Sequence, residues 1–393
     1  MEKLSLRWRP YQEPPGDKHL DVLDGFRAIC VLLVGWYHIW QQGWLSPSFE
    51  IAGQRISLDF LLRSGYLWVD GLLLLSGFLL YLPYTQSGKA PAILSFYRRR
   101  LARILPSYLL CILPLFVLAL IRGQYPSTAD ALKDLAAHLT FTHPFFRFST
   151  QQTPLNGALW TLGVEMQFYL LFPFLARFFR RHPALCWTLM TGAAFGFRAW
   201  AGAQPDTSLY VNQLPAFLDV YANGFLAAAI YAALRRRLGA QVWDRKIRLL
   251  FTAGLVLCIC QIVQLAKGQA AENGVDNIRL GQMARRFPLS AVLALGMICA
   301  ACSLPGVRFA LGNGLMRFLS QISFQFYIYH QLLAVRLKSW GFPPSAVENP
   351  WMAGDYAWQM KYTLCCFLLA LVAATLITYL FERPLARRLN RRK

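Results

Sequence analysis

Leu23-Asp24-Gly25-Phe26-Arg27-Ala28-Ile29-Cys30-Val31-Leu32-Leu33-Val34-Gly35-Trp36-Tyr37-His38-Ile39-Trp40 is an apolar run of membrane-spanning length that holds two ionisable groups inside it, Arg27 and His38. Eleven residues are close to three helical turns, so the two side chains fall on one stripe, roughly 16 Å apart. A titratable side chain inside a membrane span is costly and faces a polar cavity or a partner, which marks the pair as a candidate functional site.

The rest of the chain agrees with this reading. Of its 393 residues, 56% are hydrophobic and only 15% charged, and the mean hydropathy is +0.36. That balance excludes an ordinary soluble globule and predicts an all-α polytopic membrane protein. The net charge of +21 does not point to nucleic acid, because the basic residues gather at the ends of apolar stretches, where they set membrane topology. Residues 1–22 are polar, include Arg9-Pro10 and Pro14-Pro15, and lack the apolar core of a cleavable signal, so the chain is expected to insert through its own spans. The cysteines, among them Cys258/Cys260 and Cys299/Cys302, sit among Leu, Ile and Ala and read as small buried hydrophobes; no metal site is apparent.

Stretches of about 20 apolar residues predict ten spans: 24–44, 66–84, 102–121, 159–179, 184–202, 211–233, 248–266, 287–304, 317–337 and 362–381. With the N-terminus inside, Lys and Arg favour the cytoplasmic segments roughly two to one, which supports ten spans with both termini cytoplasmic. Arg198, Arg285 and Arg286 count on the opposite side in this scheme. The longest non-cytoplasmic loop is 122–158, followed by 338–361, and long loops in compact proteins are more often functional than idle. No internal repeat is visible. The domain reading is a cytoplasmic tail at 1–22, one transmembrane domain at 23–384 and a basic cytoplasmic tail at 385–393.

Depth follows from the topology. At 1.5 Å per residue His38 lies roughly 21 Å from the cytoplasmic surface and His330 about 20 Å. Glu165, about 9 Å below the outer surface of a core about 30 Å thick, comes to the same level. Asp70 lies slightly higher. Each has a plain structural alternative: His38 as a packed histidine, Glu165 as a structural ion-pair partner, His330 as part of an interfacial aromatic belt with Tyr327 and Tyr329. The shared depth favours a site, since buried charges need partners. The Arg98-Arg99-Arg100-Leu101-Ala102-Arg103 run is either a topology signal or a phosphate site, guanidinium groups being suited to bidentate phosphate contacts.

Together these segments resemble the acyltransferase 3 family of integral membrane acyltransferases. The resemblance rests on Leu23–Arg27 through His38, with ten residues between Arg and His in the first span. It continues with Val69-Asp70 and Leu75-Ser76-Gly77-Phe78-Leu79-Leu80, then Phe96-Tyr97-Arg98-Arg99-Arg100-Leu101-Ala102-Arg103-Ile104-Leu105-Pro106. Leu159-Trp160-Thr161-Leu162-Gly163-Val164-Glu165-Met166-Gln167-Phe168-Tyr169, Ser323–His330 and Phe381-Glu382-Arg383-Pro384 complete six ordered motifs covering nearly the whole chain. The chain departs from the family at Gly71-Leu72-Leu73, where two aromatics are common after Asp70, and at Thr161, where Ser is common.

The resemblance implies transfer of an acyl group, by default acetyl, from cytoplasmic acyl-CoA as co-substrate, with no permanently bound cofactor. The acceptor would be a hydroxyl of a cell-envelope carbohydrate, a lipid-linked saccharide or a small molecule, and the location the bacterial cytoplasmic membrane, in contact with membrane lipid. Arg99, Arg100 and Arg103 would hold the CoA phosphates, and His38 would act as general base or carry the acyl group itself. Glu165 would orient or charge-stabilise His38, and Arg27 would contact the donor or polarise the thioester. Asp70, Ser76, Trp160 and His330 are further pocket candidates, and a separate extracytoplasmic protein is a conceivable acyl acceptor. Two rivals remain: a transporter or flippase with a His/Glu proton relay, against which the lack of an inverted repeat argues, and a catalytically silent sensor of the same fold.

Overall fold

The computed structural model describes residues 20–87 and 92–391; most of the expected N-terminal tail, Lys89 and the last two residues lie outside the described residues. The chain is a helical bundle. Its α-helices run α1 Val22–Gly43, α2 Asp59–Arg63, α3 Trp68–Ser87, α4 Ile93–Ile121, α5 Thr128–Leu139, α6 Arg147–Thr150, α7 Trp160–Arg181 and α8 Pro183–Gly202. They continue with α9 Leu218–Leu238, α10 Arg245–Ala270, α11 Val275–Ala301, α12 Pro305–Gly312, α13 Gly314–Ser339, α14 Tyr356–Ile377 and α15 Arg383–Arg391. A π-helical turn, Thr378–Glu382, joins the last two. A two-stranded antiparallel hairpin, β1 Ser48–Ile51 and β2 Gln54–Ser57, interrupts the all-helical plan between α1 and α2. Its two-residue turn places Ala52 and Gly53 at positive φ, the geometry that suits the twist of a tight hairpin.

Each of the ten expected spans falls on a helix. Among the described residues, eight helical stretches are long and apolar enough to cross a membrane; α8 and α13, of 20 and 26 residues, are not among them. Several helices open on side-chain caps: Asp244 accepts from the amides of Lys246 and Ile247 at α10, Asn313 from Met316 at α13 and Asp355 from Trp358 at α14. Proline at the first position starts α8 and α12, where no amide donor is lost.

The bundle is tightest where glycines let helices approach. A Cβ on Gly224 of α9 would stand 2.5 Å from the Leu74 carbonyl oxygen of α3, and one on Gly77 would stand 3.0 Å from the Tyr221 carbonyl oxygen. Small residues at such crossings supply the packing that holds membrane helices together. Around this contact, Phe168 of α7 stacks on Tyr221 with ring centroids 3.5 Å apart.

Two expectations are corrected here. The 122–158 segment, expected as a long loop, contains two helices, α5 and α6. Tyr108, thirteen residues before the end of α4, donates its hydroxyl to the His138 carbonyl at 3.0 Å, so the segment folds back about 20 Å along that helix. Backbone at such a depth needs partners within the protein. They are present: Asn156 Nδ2 donates to the Ile328 carbonyl at 2.7 Å, and His143 Nε2 pairs with the Leu159 carbonyl at 3.0 Å. Asp134 Oδ2 accepts from Tyr125 and Thr153 hydroxyls, both at 2.7 Å.

The second correction concerns arginines counted on the outer side. Arg286 lies inside α11 and Arg198 inside α8, both buried. Helix α11 begins at Val275, well before the expected 287, because its arginines find partners within the bundle instead of ending the helix.

Candidate active site

Helix α1 carries Arg27, His38 and Gln41, and its glycines bring it against its neighbours. A Cβ on Gly25 would stand 2.3 Å from the Leu311 carbonyl oxygen, and one on Gly35 would stand 2.5 Å from the Phe326 ring of α13. Phe326 stacks in turn on His330, one helical turn further along. This close crossing brings the two histidines together, with ring centroids 5.2 Å apart. His330 is fully buried and turns Nδ1 toward the carbonyls of Phe326 and Tyr327, at 3.1 and 2.8 Å. His38 is half-buried, with Nδ1 3.1 Å from Gln41 Oε1.

Beneath the histidines lies a cavity of about 200 Å³ between α1, α3, α4, α7 and α13. Its polar wall comprises Arg27, Ser76, Arg100, Arg103, Thr161, Glu165, Tyr169, Ser323 and Tyr327; its apolar wall includes Val31, Leu72, Leu73, Leu79 and Ile104. Ser76 Oγ donates to Glu165 Oε1 at 2.9 Å, and the same carboxylate oxygen accepts from the Tyr169 hydroxyl. Arg27 lies in the electrostatic field of Asp24, Glu165 and Arg103. Arg100 sits over the rings of Phe96 and Tyr169, 5.6 and 5.4 Å from their centroids. Three guanidinium groups against one carboxylate leave the cavity positive, as suits an anionic ligand.

The structure therefore sorts the sequence candidates into layers. Arg100 and Arg103 stand at one end, Arg27, Ser76 and Glu165 in the middle, and Thr161 and Tyr327 at the roof, joined by a hydrogen bond of 2.8 Å. His38 and His330 lie beyond the roof. Val31, in the wall, is seven residues before His38, which is about 10 Å along the helix.

Glu165 thus stands with Arg27 and Ser76, not beside His38. A depth shared with His38 requires α7 to start at the membrane surface. It starts inside instead, at the level of Ile328 and Tyr327, because the preceding segment folds inward. The group on His38 Nδ1 is Gln41, which sequence reasoning passed over although a polar residue three positions from His38 in an apolar run was a signal.

Arg99 is exposed and absent from the cavity wall, whereas Arg100 and Arg103, three residues apart, share a helix face. Trp160 stacks on Phe217 at 5.9 Å and does not line the cavity. Asp70 is buried behind the wall in a charge network. Arg286 Nε donates to its Oδ2 at 3.3 Å, and Arg286 lies 3.7 Å over the Phe217 ring. Arg198 binds Asp219 through two nitrogens, at 2.9 and 2.7 Å. Arg198 and Arg286 both donate to the Ala216 carbonyl, tying the two ion pairs into one unit.

A bundle of long apolar helices with an ion-pair network in its interior and a cationic cavity between its helices defines a polytopic integral membrane protein. Residues 20–383 match the model of the acyltransferase 3 family, described as an acyltransferase domain, and the chain belongs to that family. It is 31% identical over 172 residues to the O-acetyltransferase OatA of Staphylococcus aureus; the match covers 41% of this chain and spans 25% of that protein's length. It is 25% identical over 407 residues to the acyltransferase MdmB of Streptomyces mycarofaciens, covering 97% of this chain and 95% of the relative. No solved structure gives a significant match.

Proposed function

We propose that this protein is a membrane O-acyltransferase that moves an acyl group, by default acetyl, from acyl-CoA on the cytoplasmic side of a bacterial inner membrane to a hydroxyl group. The acceptor is a cell-envelope glycan, a lipid-linked saccharide, a small hydroxyl compound or a group on a separate extracytoplasmic protein. The observation that carries the reading is the continuity of the site: one cavity joins Arg100 and Arg103 to Arg27, Ser76 and Glu165, beneath the His38–His330 pair. The names of the two relatives, an O-acetyltransferase and an acyltransferase, support it.

Arg100 and Arg103 hold the CoA phosphates by charge-assisted hydrogen bonds. Arg27, neutralised by Glu165, guides the pantetheine arm toward His38. His38 Nε2 removes the proton of the acceptor hydroxyl as its oxygen bonds to the thioester carbonyl carbon. The carbon–sulfur bond then breaks, and the departing thiolate takes the proton from the imidazolium, giving ester and free CoA.

The test is label transfer by the purified protein in nanodiscs, given radiolabelled acetyl-CoA and a panel of envelope glycans. Transfer by wild type and its loss in His38→Ala, made at equal level, is the expected result. Equal labelling by both overturns the role of His38. Movement of an unacylated substrate across vesicles without label transfer would establish a transporter instead.

A further inference from the structure

The proposed reaction needs one ring nitrogen of His38 as a free base, and the structure contains a device that selects it. Gln41 lies one helical turn beyond His38, with its Oε1 3.1 Å from Nδ1. An amide has a donor end and an acceptor end, so its orientation decides which ring nitrogen carries the proton. On the other side Gln41 Nε2 donates to the Tyr37 hydroxyl at 2.8 Å, so the amide is hydrogen-bonded at both ends.

Tyr37 is braced in turn. Its ring meets Tyr66 edge to face at 5.1 Å, and Gln269 Nε2 donates to the Tyr66 hydroxyl at 2.6 Å. From α13, the titratable group facing His38 is His330. Its Nδ1 is committed to backbone carbonyls, and its buried Nε2 has no hydrogen-bond partner. The proton on His38 Nδ1 therefore has its acceptor in Gln41.

We infer that Gln41 is a positioning residue: its carboxamide, anchored by Tyr37, fixes His38 as the Nδ1–H tautomer and leaves Nε2 as the base for acyl transfer. This rests on the proposed role of His38. Gln41 does not touch the substrate; it acts through the imidazole, in the way an acceptor behind a catalytic histidine fixes its tautomer in other acyl-transfer enzymes.

The test combines a spectroscopic and a kinetic readout on the full-length protein in nanodiscs. Nitrogen NMR of protein labelled with ¹⁵N-histidine, with the His38 signals assigned by their loss in His38→Ala, reports the tautomer without any turnover. Wild type is expected to show Nδ1–H. Gln41→Met is expected to lose that preference and to lower kcat on the order of 10²-fold, with KM for acetyl-CoA unchanged. Gln41→Glu, which keeps the acceptor oxygen, is expected to restore the tautomer and much of the rate, and to move the acid limb of the rate profile because a carboxylate then faces the ring.

A wild-type Nε2–H tautomer overturns the inference, as does a Gln41→Met protein whose His38 tautomer and kcat are both unchanged. Failure of the underlying reading looks different: His38→Ala would retain transfer, while the tautomer measured in wild type and Gln41→Met would be unaffected by that result.

Discussion

Ser76 Oγ donates to Glu165 Oε1 at 2.9 Å, joining α3 to α7 and aiming the carboxylate at the Arg27 side of the cavity. On the proposed function, this puts Glu165 at the donor end of the site. Glu165→Gln is expected to reduce acyl transfer by about tenfold or more, since a hydrogen bond to a charged group contributes about 1.5–3 kcal/mol. Its rate profile against pH should keep the shape of the wild type. An acid limb that moves in Glu165→Gln would instead place the carboxylate in contact with His38. Ser76→Ala should show the same pattern more weakly.

The arginine run divides by helix face. Arg100→Ala and Arg103→Ala should each weaken acyl-CoA binding by about tenfold or more, each removing a charge-assisted contact of about 1.5–3 kcal/mol. Arg99, exposed and outside the cavity wall, should matter much less. Isothermal titration of the three variants with acetyl-CoA separates the cases, and equal losses at all three positions would reduce the run to a general basic surface.

Asp70 and Arg286 form an ion pair with almost no exposure on either side. Removing one partner leaves the other charge buried without compensation, which costs about 3–5 kcal/mol. Asp70→Ala should therefore lower the thermal midpoint strongly. The double variant Asp70→Leu/Arg286→Met should recover part of that loss, because neither charge remains. A double variant no more stable than Asp70→Ala would show that the pair acts through the Arg198–Asp219 unit and not on its own.

Gly224 has no room for a methyl group, because the Leu74 carbonyl oxygen would lie 2.5 Å from it and the Phe78 amide nitrogen 2.9 Å. These are backbone atoms and cannot rotate away. Gly224→Ala should cost about 1–3 kcal/mol through overpacking, read as a lower thermal midpoint in detergent. It should also lower activity, since α3 carries Ser76 beside the crossing.

Asp206 clasps two segments, pairing with Arg147 of α6 and Arg279 of α11. The hydrogen bonds from Ser208, followed by Arg147, hold its carboxyl down to about 2. The ordinary value is about 3.9. Between these values the unfolded or opened chain binds more protons than the closed one, so the clasp contributes fully above about pH 4 and is lost as pH falls toward 2. Hydrogen exchange across 145–152 and 204–209, corrected for intrinsic rates, should quicken through that window. Asp206→Asn should already be open at neutral pH and show no such transition.

The sequence itself determined the fold class, because apolar stretches near 20 residues suit membrane helices: all ten fall on helices, and among the described residues eight helical stretches are long and apolar enough to cross a membrane. It also singled out α1 as a candidate site, since an arginine and a histidine three turns apart on an apolar helix stand out without any coordinates. The separation of Arg100 and Arg103 from Arg99 was implicit in the helical period.

Partnership was decided by the tertiary structure alone. Glu165 was expected at His38 and instead meets Ser76, Tyr169 and the Arg27 cavity, because a folded-back segment starts α7 well inside the bundle. Arg286 was expected before the start of a span and Arg198 near the outer end of one, and both are buried, paired with Asp70 and Asp219. The physical reason is the same in each case. Hydropathy and periodicity are local properties that a run of residues reveals by itself, whereas a buried charge or amide is satisfied by groups tens to hundreds of residues away, and only the packing of helices brings those groups within hydrogen-bond reach.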